Sequence, residues 1–462
     1  MINLTLNEIA EIVNGEVINI EGSVRTSAYP VINSGQAIAG TFFAAFIGEN
    51  VDGHDFIEAA IKNGAEFALV SKDCKSPAIK VANVQTALSA LATYTRTKLE
   101  VVTVIGITGS QGKTTTKDLL RHILGVAGET IAPVESLNNE LGVPLLILRC
   151  TENTKYCIVE MGARHVGDIA HLAEIARPQI GLVLGVGKAH IGEFGNRETI
   201  AKTKSELITA LGAGGIAILG TYDEYTPKMQ IPNGVQKILF GENQKSDVRA
   251  ADIEVREGRA HFDLVTPDGR AAVSLQLLGL HQIANALAAA AVATALHISI
   301  DTICAALSTA EVSSKWRMEI SEIAEICLIN DSYNANPESV SAALRTLALI
   351  SQESGGVSWA FLGKMHELGE SSAYEHAGIG RLASEIGIDH LVAVGTKDYL
   401  TDLDSESVRG ECVVHYFDRK EDSISLVEHF APGDVVLVKA SRSEEFNLLA
   451  DLIKEKLTEE VQ

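Results

Sequence analysis

Along most of this chain, short runs of consecutive apolar residues alternate with longer stretches in which apolar positions recur every three to four residues. Between about residues 100 and 312 the runs "TVIGIT", "YCIVEM", "IGLVLGV" and "GIAILG" each precede a helical pattern. That alternation predicts a parallel sheet covered by helices. The runs are apolar throughout, as strands buried on both faces must be. From about residue 313 the alternation repeats with "CLIND", "WAFLG", "LVAVG", "VVHYF" and "VVLVKAS". A clear helix such as "ESVSAALRTLALIS" separates all but the last two, which predicts a second, smaller doubly wound sheet. Before residue 80, "GTFFAAFIG" and "AEFALVSK" flank the polar cluster "ENVDGHDF" and suggest a small α/β unit. The expected fold is therefore α/β in three domains, 1–82, 83–312 and 313–462: a small N-terminal domain, a central domain with a mostly parallel sheet, and a C-terminal Rossmann-like doubly wound domain. The longest apolar segment, Ile283 to Ile298, is Ala-rich, carries Asn285 and His297, and is short for a bilayer, so it predicts a buried helix.

Length and composition agree with this picture. A chain of 462 residues suggests about three domains, and 46% hydrophobic with 21% charged residues describes a globular protein. A net charge of −22 argues against a nucleic-acid or anionic-membrane partner, so a polyanionic small ligand must be met by locally placed Lys, Arg and Mg²⁺. The six cysteines are scattered without C-x-x-C or zinc spacing, which suggests mostly buried free thiols in a reducing cytosol. "MINLTLNEIAEIVNG" lacks a basic segment and a long apolar core, and is not expected to be a signal peptide.

Candidate chemistry begins at "VIGITGSQGKTTTKDLL", which passes from a β-branched run into a helix through Gly109, Ser110, Gly112, Lys113, Thr114 and Thr115. Such a turn offers backbone N–H groups to phosphate oxygens, with the lysine neutralising charge and the threonine hydroxyl meeting Mg²⁺. The general pattern asks for glycine where Ile107 stands; Gly109 makes the turn instead, in a narrower T-G-x-x-G-K-T-T form. Glu160 closes the next apolar run and His190 follows the one after it. Singly, each reads equally as a solvated glutamate or a structural histidine; with Thr114 they form a set of oxygen and nitrogen donors for a divalent metal.

In "ETIAKTKSELI", Lys204 shares a helical face with Ile200 and Ile208, whereas Lys202 shares one with Glu198 and Glu206. Lys204 is thus expected to point inward, either snorkelling to a carboxylate or acting as a neutral amine that CO₂ can carbamylate into a metal-binding anion. Asn285 can read an adenine edge or satisfy a buried turn, and Arg317 can pair with a nucleotide or form an inter-domain salt bridge. Asp331, ahead of the turn at Pro337, can accept from ribose hydroxyls. His376 after "FLGKMHELG", and Lys439, Ser441 and Arg442 in "VLVKASRSEEF", are expected near strand ends where cationic groups suit a carboxylate ligand.

Together "GITGSQGKTTT", "LNNELGVPLLIL", "VEMGARHVGDI", "GKAHIGEFGNRETIAKTKSEL", "GLHQIANALAAAA" and "INDSYNANPESVSAAL" resemble, in order and across nearly the whole chain, the Mur ligases. These ATP-dependent enzymes add amino acids to the peptidoglycan stem peptide. "NDSYNANPES", "GKMHELGESSAYEH" and "DGHDFIEAAIKNGA" most resemble the branch that joins D-Ala-D-Ala to UDP-MurNAc-tripeptide; the "DNPR" of the diamino-acid-adding branch does not occur. The resemblance implies an N-terminal domain for the UDP-muramoyl substrate, a central ATPase and a C-terminal domain for the incoming dipeptide. It implies that Lys113 holds the terminal phosphates, that Thr114 and Glu160 hold one Mg²⁺, and that His190 with carbamylated Lys204 holds a second.

Gly109, Ser110, Gly112, Thr115, Asn285, Arg317 and Asp331 would contact ATP, with Lys113, Lys204 and His190 carrying catalysis. Ser34, Asn138, Asn139, Asn334, Asn336, Lys439, Ser441 and Arg442 would contact substrates. A cytoplasmic monomer is expected, and bringing an amine to a water-labile acyl phosphate would require the C-terminal domain to close about a hinge near 310–316. The chain departs from the family at Asn33-Ser34-Gly35, where D-S-R is usual, and more mildly at "HQIAN" and "KASR". A folylpolyglutamate-type ligase or another Mur step would share the central domain. A non-catalytic nucleotide- or UDP-sugar-binding paralogue would be expected to have lost Lys113, Glu160, His190 or Lys204, and all four are present.

Overall fold

The computed structural model describes residues 1–133, 137–189, 191–311, 314–401, 403 and 412–460. His190, and residues 312 and 313 of the expected hinge, lie outside the described residues. The α/β architecture is as the apolar pattern predicts. In the N-terminal unit five short strands, Glu16–Ile18, Ala78–Lys80, Ala68–Val70, Thr41–Ala44 and Tyr29–Val31, form one sheet in that spatial order. All its neighbours are parallel except the first pair.

The central sheet is wholly parallel, in the order Gln236–Phe240, Ile216–Gly220, Ile180–Val183, Thr103–Thr108, Tyr156–Glu160 and Thr130–Ile131. Strand Thr103–Thr108 sits where successive connections leave to opposite sides, and in open α/β sheets ligands bind beyond the carboxyl ends at such a switch point. Helix Lys113–Ala127 follows it and packs on helix Gln282–Ala295. That second helix is buried almost all round, as its run of alanines predicts, because small side chains let neighbouring elements approach closely.

The central domain also contains an element the alternation did not predict. Arg249–Arg256, Arg259–Thr266 and Gly269–Leu278 form an antiparallel three-stranded sheet. Ala260, Phe262, Leu264, Val273, Leu275 and Leu277 turn one face into the cluster containing the Ala-rich helix. Its hairpin signal is legible afterwards: apolar and polar residues alternate through "AHFDL" before Val265, and the run ends in the turn "PDG".

The C-terminal sheet runs Glu319–Ile323, Ile326–Asn330, Val435–Lys439, Ser358–Leu362, His390–Val394 and Val413–Phe417, with only the first pair antiparallel. The N-terminal and central units share a core: Phe42, Leu69 and Ile79 belong to the same buried cluster as Val104, Cys157 and Val159, with helix Val84–Lys98 between them. All six cysteines are free, with Cys150, Cys157 and Cys304 buried. Among the described residues no helix is long and apolar enough to cross a membrane.

Candidate active site

The loop between strand Thr103–Thr108 and helix Lys113–Ala127 takes a shape only glycine permits. Gly112 has φ +80°, and a Cβ there would meet Asn285 Oδ1 at 2.2 Å. At Gly109 a Cβ would meet Leu184 Cβ at 2.8 Å. Lys113 folds back over the loop and donates to the Gly109 carbonyl at 2.7 Å. Burial draws its pKa below the ordinary lysine value against the opposing pull of Glu160. Ser110 ties the loop to the next crossover: its N–H donates to Gly185 O at 3.0 Å, and its Oγ accepts from Gly187 N at 2.8 Å.

Thr114 Oγ1 donates to Glu160 Oε2 at 3.1 Å and accepts from Arg317 Nη2 at 2.8 Å. Asn138 Nδ2 donates to the other oxygen, Glu160 Oε1, at 2.9 Å. Glu160 is 1% exposed, so these neutral donors, and not solvent, support its carboxylate. The helical-phase argument for Lys204 holds: it is 7% exposed while Lys202 is exposed. Among the described residues Lys204 makes no hydrogen bond or ion pair, so it does not snorkel to a carboxylate. Burial, then the charge of Lys113, holds its pKa well below the usual value. No group of three or more His, Cys, Asp or Glu converges on a metal position among the described residues.

A cleft of about 1630 Å³ unites these groups with the C-terminal domain; Lys113, Thr114, Glu160 and Lys204 line one side, and Asp331 and Arg442 the other. Asn285 satisfies its surroundings, accepting from Thr116 Oγ1 at 3.3 Å and donating to Gln282 Oε1 at 2.8 Å. The Arg317 guanidinium, besides donating to Thr114, lies 4.1 Å from the Tyr333 ring. Arg442 stacks on Trp316 at 4.0 Å.

Lys439 is 2% exposed and pairs with Asp331, also donating to Asn334 O at 2.9 Å. Asp331 accepts in addition from Met318 N at 3.1 Å, so both charges brace the turn. The Ser441 hydroxyl accepts from His366 N at 2.9 Å. The Asn139 and Asn336 amide oxygens accept from backbone N–H groups opening the helices at Gly142 and Pro337. Asn334 accepts from Ala335 N.

Ser34 stands apart from this cleft, opening a 3₁₀ turn on the N-terminal unit with Asn33 capping Gly35. One expectation changes. His376 is no cation at a strand end: it lies within helix Ser372–Glu385, its Nε2 accepts from Met365 N at 3.0 Å, and burial lowers its pKa. The structure adds His281, Lys188, Glu338 and His366, which sequence spacing did not select. His281 lines the cleft, where burial holds its pKa down at about 4.

Three adjoining family descriptions match the chain: Mur ligase family, catalytic domain over residues 31–104; Mur ligase middle domain over 107–293; and Mur ligase, glutamate ligase domain over 316–442. The UDP-N-acetylmuramoyl-tripeptide--D-alanyl-D-alanine ligase of Mycobacterium bovis is 39% identical, covering 98% of each chain. The crystal structure of MurF from Acinetobacter baumannii superposes with a TM-score of 0.85 at 31% identity, covering 98% of this chain and 99% of that one. MurF ligase from Thermotoga maritima, solved in complex with ADP, gives a TM-score of 0.78 at 28% identity over 94% of this chain and 99% of that one.

Proposed function

Because this chain belongs to the Mur ligase family, we propose that it joins D-alanyl-D-alanine to UDP-N-acetylmuramoyl-tripeptide, converting ATP to ADP and phosphate. The observation that carries this reading is a cleft that faces the phosphate-binding loop on one wall and the strand ends of the C-terminal domain on the other. A carboxylate is a poor electrophile, so the stem-peptide carboxylate first attacks the γ-phosphorus of ATP, forming an acyl phosphate and releasing ADP. The dipeptide amine then attacks the acyl carbon. Collapse of the tetrahedral intermediate forms the amide and expels phosphate, and the amine gives up its proton. Both reactants of the first step are anions, so Lys113 and the loop N–H groups act by offsetting the charge that gathers between them.

The Thr114 hydroxyl and Glu160 carboxylate, 3.1 Å apart on the cleft wall, fit Mg²⁺, which prefers oxygen donors shared with phosphate. Bound there, the ion would draw charge from the transferring phosphoryl group. By the family pattern, His190 and a carbamylated Lys204 would hold a second ion. Lys204 suits a carbamate because its amine is desolvated and unpartnered among the described residues: it adds to CO₂ and releases a proton. Ser110, Thr115, Gly109, Gly112, Asn285, Arg317 and Asp331 serve ATP. Ser34, Asn138, Asn139, Asn334, Asn336, Lys439, Ser441 and Arg442 serve the two substrates. Domains 1–82, 83–312 and 313–462 hold the UDP-muramoyl substrate, ATP and the dipeptide respectively, in a cytoplasmic monomer.

The test is phosphate release from ATP with UDP-MurNAc-tripeptide, with and without D-Ala-D-Ala. Release requiring both, with a pentapeptide product, supports the reading; release with neither, or none with any Mur substrate, overturns it.

A further inference from the structure

The crossover loop from Gly185 to Ala189 is held from two sides by different domains. On the central side it is stitched to the phosphate-binding loop through Gly185 O and Gly187 N, both bonded to Ser110. Val186 is fixed as well, its N–H donating to Asp223 Oδ2 at 2.9 Å and its carbonyl accepting from Arg197 Nη2 at 2.9 Å. On the other side the C-terminal domain supplies two carboxylates. Glu338 Oε1 accepts the backbone N–H of Lys188 at 2.7 Å, and the Lys188 ammonium pairs with Glu375 Oε1 at 2.7 Å. Glu338 stands in the first turn of helix Pro337–Ser354, where the helix dipole favours a carboxylate. Its second oxygen, Oε2, is buried with no hydrogen-bond partner among the described residues.

The contact is close. A Cβ on Gly187 would lie 3.0 Å from Glu338 Oε1 and 3.3 Å from Ser110 Cβ, so the carboxylate of one domain and the phosphate-binding loop of the other meet tightly across a glycine, and an added methyl would push a neighbour by a few tenths of an ångström. Further along, Gly192 N donates to Glu367 O at 3.1 Å, a second C-terminal contact on the same crossover.

We infer that Glu338 is a positioning residue for the ligase reaction: by gripping the Lys188 N–H it couples docking of the C-terminal domain to the geometry of the phosphate-binding loop at Ser110. This rests on the ligase reading above. Docking that brings the dipeptide to the acyl phosphate also sets the loop against which the phosphoryl group is transferred. Lys188 and Glu375 add charge to the same contact, but the Glu338 bond runs to a backbone group and survives any change of the lysine side chain.

The experiment compares Glu338→Ala, Glu338→Asp and Lys188→Met with the unmodified enzyme, in kcat and KM for the dipeptide, binding of ADP, and thermal midpoint. Glu338→Ala is expected to lower kcat tenfold or more with ADP affinity and thermal midpoint close to the parent. Glu338→Asp should recover part of that loss, and Lys188→Met should lose less than Glu338→Ala because its N–H remains. Unchanged kcat in Glu338→Ala overturns the inference, as does a loss matched by a fall in ADP affinity or in thermal midpoint. If the unmodified protein does not consume ATP with both substrates, the ligase reading has failed instead, and the two failures are distinguishable.

Discussion

Replacing Lys204 by methionine is expected to stabilise the protein while disabling it. The side chain is 7% exposed, and among the described residues its amine has no hydrogen-bond or ion-pair partner. An unsatisfied buried polar group costs about 1–3 kcal/mol, and methionine fills a similar elongated space with no polar atom to desolvate. Taking about 1.5 kcal/mol, and roughly 2–4 °C per kcal/mol for a unit of about 200 residues, the thermal midpoint should rise by roughly 3–6 °C. Turnover should fall on the order of a hundredfold, the scale seen when one electrostatic group at a reacting centre is lost.

The gain also has a definite pH dependence. The folded pKa of Lys204 lies well below the ordinary value of 10.5, so between the two the unfolded chain binds the extra proton and stability falls as pH falls. The methionine variant lacks this penalty, so its advantage should be larger at pH 7 than near pH 10.5. Differential scanning calorimetry in bicarbonate-free buffer at both pH values, with phosphate-release kinetics, measures all three quantities. A variant less stable than the parent at pH 7, or one with full turnover, refutes the reasoning.

Arg317→Ala removes the bond to Thr114 and the stack on Tyr333, and should raise the KM for ATP about tenfold, from roughly 1.5 kcal/mol for a charged hydrogen bond; an unchanged KM would show that the arginine is only structural. Lys439→Met leaves the Asp331 carboxylate without its cation and should cost about 3 kcal/mol, read by urea unfolding, with Asp331→Asn recovering part of it in the double variant. Burial depresses the His281 pKa to about 4, so its neutral form contributes stability that is complete above about 6.5 and is lost as pH falls toward 4. Comparing midpoints of the parent and His281→Asn across that window checks the sign.

Much of the site was legible because its residues lie at positions that local rules define. The glycines of the phosphate-binding loop, Glu160 at a strand's carboxyl end and the inward phase of Lys204 all follow from spacing along one strand or one helix. The antiparallel sheet from Arg249 to Leu278 was missed although its alternation and "PDG" turn were present, because the surrounding strand–helix rhythm dominated the reading. His376 was misplaced for a different reason: a histidine's charge depends on its burial, and nothing in "SAYEHAGIG" reports that the ring is buried and accepts from the Met365 backbone N–H.

The sequence by itself therefore determined the strand–helix alternation outside Arg249–Leu278, the phosphate-binding turn and which lysine faces inward, since each depends on neighbours within a few residues. Only the tertiary structure decided that Lys439 pairs with Asp331, that Arg317 reaches Thr114 and that Glu338 grips the loop beside Ser110. Those pairs are 108, 203 and 150 residues apart for Asp331–Lys439, Thr114–Arg317 and Lys188–Glu338. At such separations no periodicity links the partners: Asp331 and Lys439 meet because their strands pair side by side in the C-terminal sheet, and the other two pairs because the central and C-terminal units pack across one cleft.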